Sequence, residues 1–126
     1  MAISQLRSRR KPSGGRYKDT QAKKLAEKGR QPMFTRIDPI KTKVVGGRGS
    51  TSKRKALTIS VANVYVPKKK AYEKAELKTV LENAANRNYI RRNIITKGTV
   101  VETSLGKAKI TNRPSQEGCV NAILLD

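Results

Sequence analysis

Residues 85–98, Ala-Asn-Arg-Asn-Tyr-Ile-Arg-Arg-Asn-Ile-Ile-Thr-Lys-Gly, hold the densest set of groups able to do recognition chemistry. Arg87, Arg91 and Arg92 bracket Tyr89 and the three asparagines Asn86, Asn88 and Asn93, and Lys97 follows. A tyrosine ring can stack on an unpaired base while amides reach base edges or 2′-hydroxyls and guanidiniums fork onto phosphate. Arg87 and Arg91 stand four apart, so one α-helical turn would place them on a common face. The same residues could equally form a helix-capping turn with a buried tyrosine and solvated arginines. Composition alone leaves both readings open.

A second basic cluster lies at residues 8–16, where Arg9, Arg10, Lys11 and Arg16 surround Pro12, Ser13, Gly14 and Gly15, with Arg7 just before and Lys18 just after. Arginine is the better cation for planar, bidentate contact with phosphate. The intervening residues suggest an extended, flexible segment whose glycines let backbone approach a phosphate surface closely. The bland alternative is a solubilising tail or a localisation signal. A third cluster, residues 45–55, is a glycine-rich loop between two strands and carries Arg48, Lys53, Arg54 and Lys55. Its Gly46-x-x-Gly49 has the spacing of a KH-domain clamp but lies between strands, and no Gly-Lys-Ser/Thr follows as a nucleotide-hydrolysing loop requires. A phosphate-gripping hairpin tip is the reading that remains.

Catalysis has little to work with. Histidine is absent and Cys119 is the only cysteine, so thiol or serine catalysis assisted by histidine has no candidates, nor do disulfides or zinc clusters. Cys119, between Gly118 and Val120 in an apolar stretch, is expected to be a small buried hydrophobe. The carboxylates Asp38, Glu73, Glu76, Glu82, Glu102 and Glu117 stand mostly singly among cations and form no ligand cluster, so a metal-dependent RNA-processing enzyme finds no support. No enzyme activity, cofactor, metal or small-molecule substrate is expected.

The 126 residues carry 29 Lys and Arg against 9 Asp and Glu, a formal charge of +20. Self-repulsion of that size calls for a polyanion. No apolar run approaches the roughly 20 residues of a membrane span, and no segment pairs a broad apolar face with a basic one. The N-terminus lacks the apolar core of a secretory signal. Membrane binding is therefore not expected, and a cytoplasmic address is. A DNA-compacting protein would share the charge, but no helix-turn-helix or other DNA-reading element is present.

Several elements must position these groups. Residues 1–33 hold ten Lys and Arg, two Asp and Glu and few large apolar side chains, too little to build a core. They are expected to be a basic RNA-binding extension. Within it, residues 20–29, which include Lys23 and Lys24, suggest a short helix capped by Asp19 or Thr20 and ended by Gly29. Such a helix is marginal alone and should order only against a partner. Residues 34–126 turn to alternating β-branched segments punctuated by Gly, Pro, Asn and Ser. They predict a mainly β, small antiparallel barrel-like domain. Pro39 puts the first half of the 34–45 segment at an edge or bend. Leu57, Ile59 and Val61 alternate, after which the apolar face moves to Val64 and Val66, so a bulge is expected near Ala62 and Asn63. Residues 99–103 and 107–111 form a hairpin with Gly106 at the loop, and 120–125 a last strand. Residues 71–85 are ambiguous: their composition favours helix, yet Ala75, Leu77, Thr79 and Leu81 alternate as a strand would.

Taken together, the Ser-Arg-Arg-Lys-Pro and Gly-Gly-Arg signature of residues 8–16, Ala62-Asn-Val-Tyr65, the 85–98 run, and Glu102 through the Asn-Arg-Pro-Ser-Gln-Glu-Gly loop of residues 112–118 to Val120-Asn-Ala-Ile123 resemble the S-eight-e family of small-subunit ribosomal proteins. The resemblance spans nearly the whole chain and is to the compact archaeal form, lacking the insertion of longer members. The 46–55 loop departs from it in the order of its glycines, serines and lysines. The resemblance implies a β-barrel-like domain bound to small-subunit ribosomal RNA, with the basic arm, Arg113 of the 111–118 loop and the 85–98 run contacting it and other small-subunit proteins as neighbours. It also implies that residues 71–81 are a strand.

Overall fold

The structure, a computed structural model, describes residues 8–18, 24 and 29–125. The chain divides into two compact units, Met1–Pro32 and Met33–Asp126. Within the first, residues 8–18 form a closed turn where an extended segment was expected. The Gly14 amide donates to the Lys11 carbonyl (2.9 Å), the Lys11 amide to Gly15 (2.8 Å) and the Tyr17 amide to Arg9 (3.1 Å). Arg10 and Arg16 stand opposite one another as an antiparallel bridge. The local chemistry accounts for this: Pro12 presets the first central position of a type I turn, and Gly14, at φ +83°, takes the left-handed position that closes it into a three-residue hairpin loop. The helix expected over residues 20–29 falls outside the described residues, apart from Lys24 and Gly29, as do Arg7 and Lys23.

The second unit contains two sheets. β1 (Arg36–Ile37), β2 (Lys41–Gly46) and β3 (Ser52–Ile59) form a sheet in the order β1-β3-β2. β4 (Val61–Val66), β5 (Ala71–Glu82), β6 (Val100–Thr103), β7 (Gly106–Ile110) and β8 (Asn121–Leu124) close a barrel. Its neighbours are antiparallel until β8 returns to β4 in parallel, as an odd number of up-and-down strands requires. The mainly β barrel expected of residues 34–126 is thus present. Its interior alternates large and small side chains: Ala122 lies between Val64 and Ile110, and Ala108 faces Val101. All five are at most 2% exposed, the packing a narrow barrel permits.

Two local expectations need correction, at Ala62 and at Cys119, and one ambiguity is resolved. The apolar phase changes at Ser60, where β3 passes into β4, and not through a bulge near Ala62 and Asn63. β4 pairs with β5 without interruption from Val61 to Val66, and Ala62 itself points inward. The ambiguous 71–85 segment is strand over Ala71–Glu82, as the family resemblance implied, because pairing on both edges and a buried face outweigh its helical composition. Its alternation fails halfway: Ala75 and Leu77 are buried, but a register shift between Leu77 and Thr79 brings Val80 inward and leaves Thr79 and Leu81 exposed. Cys119 is exposed, its thiol 3.8 Å from the Asn112 amide nitrogen, because Val120 takes the inward position that leads into β8.

Between β5 and β6 the chain leaves the barrel, and this excursion carries the 85–98 run. Asn83, buried at the start of the excursion, holds it in place. Its amide nitrogen donates to the Ile94 carbonyl (3.2 Å), and its oxygen accepts from the Ala85 amide (2.9 Å) and the Thr96 hydroxyl (3.1 Å). The Thr99 hydroxyl, fully buried, accepts from the Thr96 amide (3.0 Å). Asn83→Ala strands these partners without replacement. It should cost roughly 2 kcal/mol and lower the melting temperature by about 10 °C; an unchanged thermal denaturation midpoint would show that the network is not what holds the excursion.

Candidate nucleic-acid interface

Residues 87–92 form a 3-10 helix. At three residues per turn, positions i and i+3 eclipse, so Arg87 and Arg91 do not share a face as an α-helix would have arranged. Tyr89 and Arg92 share one instead, and there they meet Phe34. The Phe34 and Tyr89 rings make an edge-to-face contact with centroids 5.7 Å apart, and the Arg92 guanidinium lies 5.8 Å from the Phe34 centroid, within cation–π range. Tyr89 is half-buried, while Phe34 remains 39% exposed. Two of the three asparagines serve the backbone. The Asn86 side chain caps the helix start by accepting from the Asn88 amide (2.9 Å). Asn93 ends the helix in the left-handed conformation at φ +48° and donates its amide to the Ile90 carbonyl (3.0 Å), a conformation asparagine tolerates better than most residues. Arg87, Asn88, Arg91 and Arg92 are exposed.

The strand segment 34–37 ties this helix to the β2–β3 sheet. The Ile37 amide donates to the Asn93 carbonyl (3.2 Å) and the Ile95 amide to Thr35 (2.9 Å), while β1 pairs in parallel with β3 on its other edge. The order β2, β3, β1 and then the 93–95 backbone makes one continuous strip, so the hairpin cations and the 3-10 helix belong to the same layer of the molecule.

In the hairpin, β2 is an edge strand exposed over Lys41–Val44. Register places Lys43 directly opposite Lys55, with Val45 and Lys53 the next facing pair on the same side. Like charges directly across a ladder are destabilising, and no carboxylate among the described residues relieves Lys43, Lys53 or Lys55. The tip is closed by the Gly47 amide donating to the Thr51 carbonyl (2.7 Å) and by the Thr51 hydroxyl donating to Arg48 (2.8 Å), with Gly49 and Ser50 both at φ +60°. Arg48 is thereby presented from a rigid turn. Arg54 lies on the opposite face of β3, where the helical turn α1 (Pro114–Glu117) packs and its C-cap Gly118 comes close to the Arg54 carbonyl. A Cβ on Gly118 would come within 3.2 Å of that carbonyl, and Gly118 sits at φ +78°. This close approach holds exposed Arg113, which precedes α1, on the β3 side of the domain.

Lys97 projects from a separate turn in which the Thr99 amide donates to Thr96 (3.2 Å) and Gly98 takes φ +84°. In the first unit, Arg9, Arg10, Lys11 and Arg16 lie on the hairpin of residues 9–17, all exposed, with Lys18 and Lys24 also exposed. The Lys11 ammonium is 5.7 Å from the Tyr17 ring centroid, and the Arg10 guanidinium donates to the Gly14 carbonyl (3.2 Å). Three participants escaped sequence reasoning. Phe34, the only phenylalanine of the chain, read as a strand residue, and its meeting with Tyr89 is a tertiary contact. Arg36 and Lys43 gave a weak signal, as cations alternating with apolar residues on what proved to be exposed strand.

The family model described as Ribosomal protein S8e matches residues 4–125. The chain is similar to small ribosomal subunit protein eS8 of Methanosphaera stadtmanae, at 50% identity over 127 residues covering 100% of both chains. It is similar to the eS8 proteins of Picrophilus torridus, at 44% identity over 99% of this chain and 100% of that protein, and of Methanococcus aeolicus, at 47% over 100% of this chain and 99% of that one. With a match over almost its whole length and relatives of equal span, the chain belongs to the ribosomal protein S8e family, in its compact archaeal form, a family of structural proteins and not of enzymes.

Proposed function

We propose that this protein is a structural constituent of the small ribosomal subunit, resident in the cytoplasm, that binds and stabilises ribosomal RNA during assembly and translation, beside other small-subunit proteins. The observation that carries this reading is the facing of cation on cation across two hairpins, Lys43 opposite Lys55 and Arg10 opposite Arg16. An isolated protein gains nothing from such pairs. Against a phosphate backbone they become bidentate seats whose occupation releases counterions. The Phe34, Tyr89 and Arg92 cluster adds ring and guanidinium surface suited to an unpaired base, and Arg36, Arg87 and Arg91 add cations on the same strip. The division of labour follows: residues 1–33 act as a basic extension, and residues 34–126 as a barrel domain that presents the strip.

The test is a titration of the full chain into a small-subunit ribosomal RNA fragment over a series of salt concentrations. The logarithm of affinity should fall linearly with the logarithm of salt, by roughly 0.7 to 0.9 per phosphate contacted. A flat response would rule out the electrostatic account. In the same assay, the double replacement Arg91→Ala and Arg92→Ala should weaken binding roughly thirtyfold, at about 0.7 log units per lost contact near physiological salt, and lower the melting temperature by no more than a few degrees, through the lost contact of Arg92 with Phe34. Retained affinity would make the 3-10 helix scaffolding only.

A further inference from the structure

On the outside of the barrel, register aligns two rows of side chains across four strands. One row runs Tyr72, Tyr65, Ile123, Lys109 over β5, β4, β8 and β7. The next runs Lys74, Asn63, Asn121 and then Thr111 just beyond β7, whose amide and hydroxyl both donate to the Asn121 carbonyl. All but the two lysines of these rows line an open concavity of about 700 Å³. Each spans three interstrand spacings, roughly 14 Å, which gives room for about two bases.

We infer that this face is a second nucleic-acid site, one that takes unpaired bases of RNA by stacking. Three independent features point to that occupant. The Tyr65 and Tyr72 rings pack together with centroids 5.1 Å apart at 50°, yet Tyr72 is 74% exposed, so the pair is a preformed platform with an open ring face. Pairing across the strands can stabilise the sheet, yet it leaves most of the Tyr72 surface open to a ligand. Next, the Asn63 amide nitrogen donates to the Asn121 side-chain oxygen (3.2 Å). That bond orients the pair and leaves the Asn63 oxygen as acceptor beside the Asn121 NH2 as donor, the complement of a base edge. Finally, the cations sit at opposite ends, Lys74 on one row and Lys109 on the other, and neither has a carboxylate partner among the described residues. A strand of about two bases laid between them would carry its end phosphates toward the two ammoniums. Glu76 shares the outward face of β5 but lies beyond Lys74, and Glu73 is engaged by Lys69 (2.8 Å). An acidic protein segment would meet the lysines but leave the amide pair and the rings without matching groups.

This inference rests on the RNA-binding reading, and its test separates the two. The full chain is titrated, at raised salt that weakens phosphate contacts, into a short single-stranded oligoadenylate and into an RNA duplex of equal length. Tyr72→Ala should weaken single-strand binding about tenfold, the loss of stacking on one base, and change duplex binding less than twofold. Tyr72→Phe, which keeps the ring, should bind as the parent does. Tyr72→Ala also removes the ring pair across β4 and β5 and should melt a few degrees lower, so binding is compared well below that transition, while Tyr72→Phe should melt as the parent does. Equal single-strand affinity for Tyr72→Ala and the parent overturns the inference while leaving the ribosomal reading intact. If that equality comes with impaired incorporation into reconstituted subunits, the face belongs to a protein partner, and the inference is again overturned. A parent chain that binds the oligoadenylate no better than the duplex at raised salt overturns the inference, while the ribosomal reading stands or falls on the salt series with small-subunit ribosomal RNA.

Discussion

Replacing Arg9, Arg10, Lys11 and Arg16 together by Gln should reduce affinity for small-subunit ribosomal RNA by roughly a thousandfold near physiological salt. Each neutralised phosphate contributes about 0.9 to the salt slope, which at about 0.15 M amounts to some 0.7 log units, and four contacts sum to about three. The four side chains are exposed on a short hairpin, and the turn is closed by backbone hydrogen bonds with Gly14 at positive φ. Its geometry should survive the replacements, so the loss reports charge and not unfolding. Two measurements check this. The salt slope of the variant should be shallower by roughly 3.6, and its far-ultraviolet circular dichroism should match the parent's. A variant that binds weakly with an unaltered slope would show the arm acting by shape alone.

The second large effect concerns the β2–β3 hairpin and carries opposite signs for binding and for folding. Changing Lys43, Lys53 and Lys55 together to Gln should weaken RNA binding by roughly a hundredfold, three contacts at about 0.7 log units each. The same change removes the facing Lys43 and Lys55 ammoniums and the Lys53 ammonium on the same face. Like charges across a ladder cost a few tenths of a kcal/mol to about 1 kcal/mol, so the free domain should gain about 0.5 kcal/mol and melt a few degrees higher. Few surface substitutions raise the melting temperature while removing most of an activity. That pairing identifies a surface shaped for a polyanion and not for stability of the isolated chain. Falling stability together with falling affinity would mean instead that the lysine stems pack the hairpin.

These two experiments rest on features of different legibility. The arm's cations stand in plain sequence, and Pro12 and Gly14 contain the turn chemistry, although their combination reads as flexibility until the hydrogen bonds are seen. The facing of Lys43 and Lys55 depends on register, which is set by where the 46–51 tip closes and by the irregularity between Lys41 and Thr42. A one-residue slip would turn each side chain to the other face. The barrel itself is readable from its β-branched alternation, Gly106 and the last apolar strand. β5 is not, because Ala, Glu, Lys and Leu suit a helix and only its neighbours on both edges make it a strand.

The 85–98 run divides along the same line. That it gathers arginines, asparagines and a tyrosine is a property of the sequence, and so is its dual reading as recognition element or capping turn. The 3-10 geometry, which separates Arg87 from Arg91 and joins Tyr89 with Arg92, follows from Asn86 and Asn93 at its ends and from the Asn83 network beneath it. Phe34 reaches it through backbone pairing of residues 35–37 with 93–95.

By itself, then, the sequence determined a charge that calls for a polyanion, the lack of histidine and of paired cysteines, the β character of the domain and, through its motifs, the family. Charge, residue type and short-range turn chemistry are local or additive quantities, and these survive in a linear string. Only the tertiary structure decided which cations face one another, which ring meets which guanidinium, that Cys119 points outward, and that Tyr65 and Tyr72 form an exposed platform. Those relations are set by strand register and bulges, where a shift of one residue reverses which side of a sheet a side chain occupies.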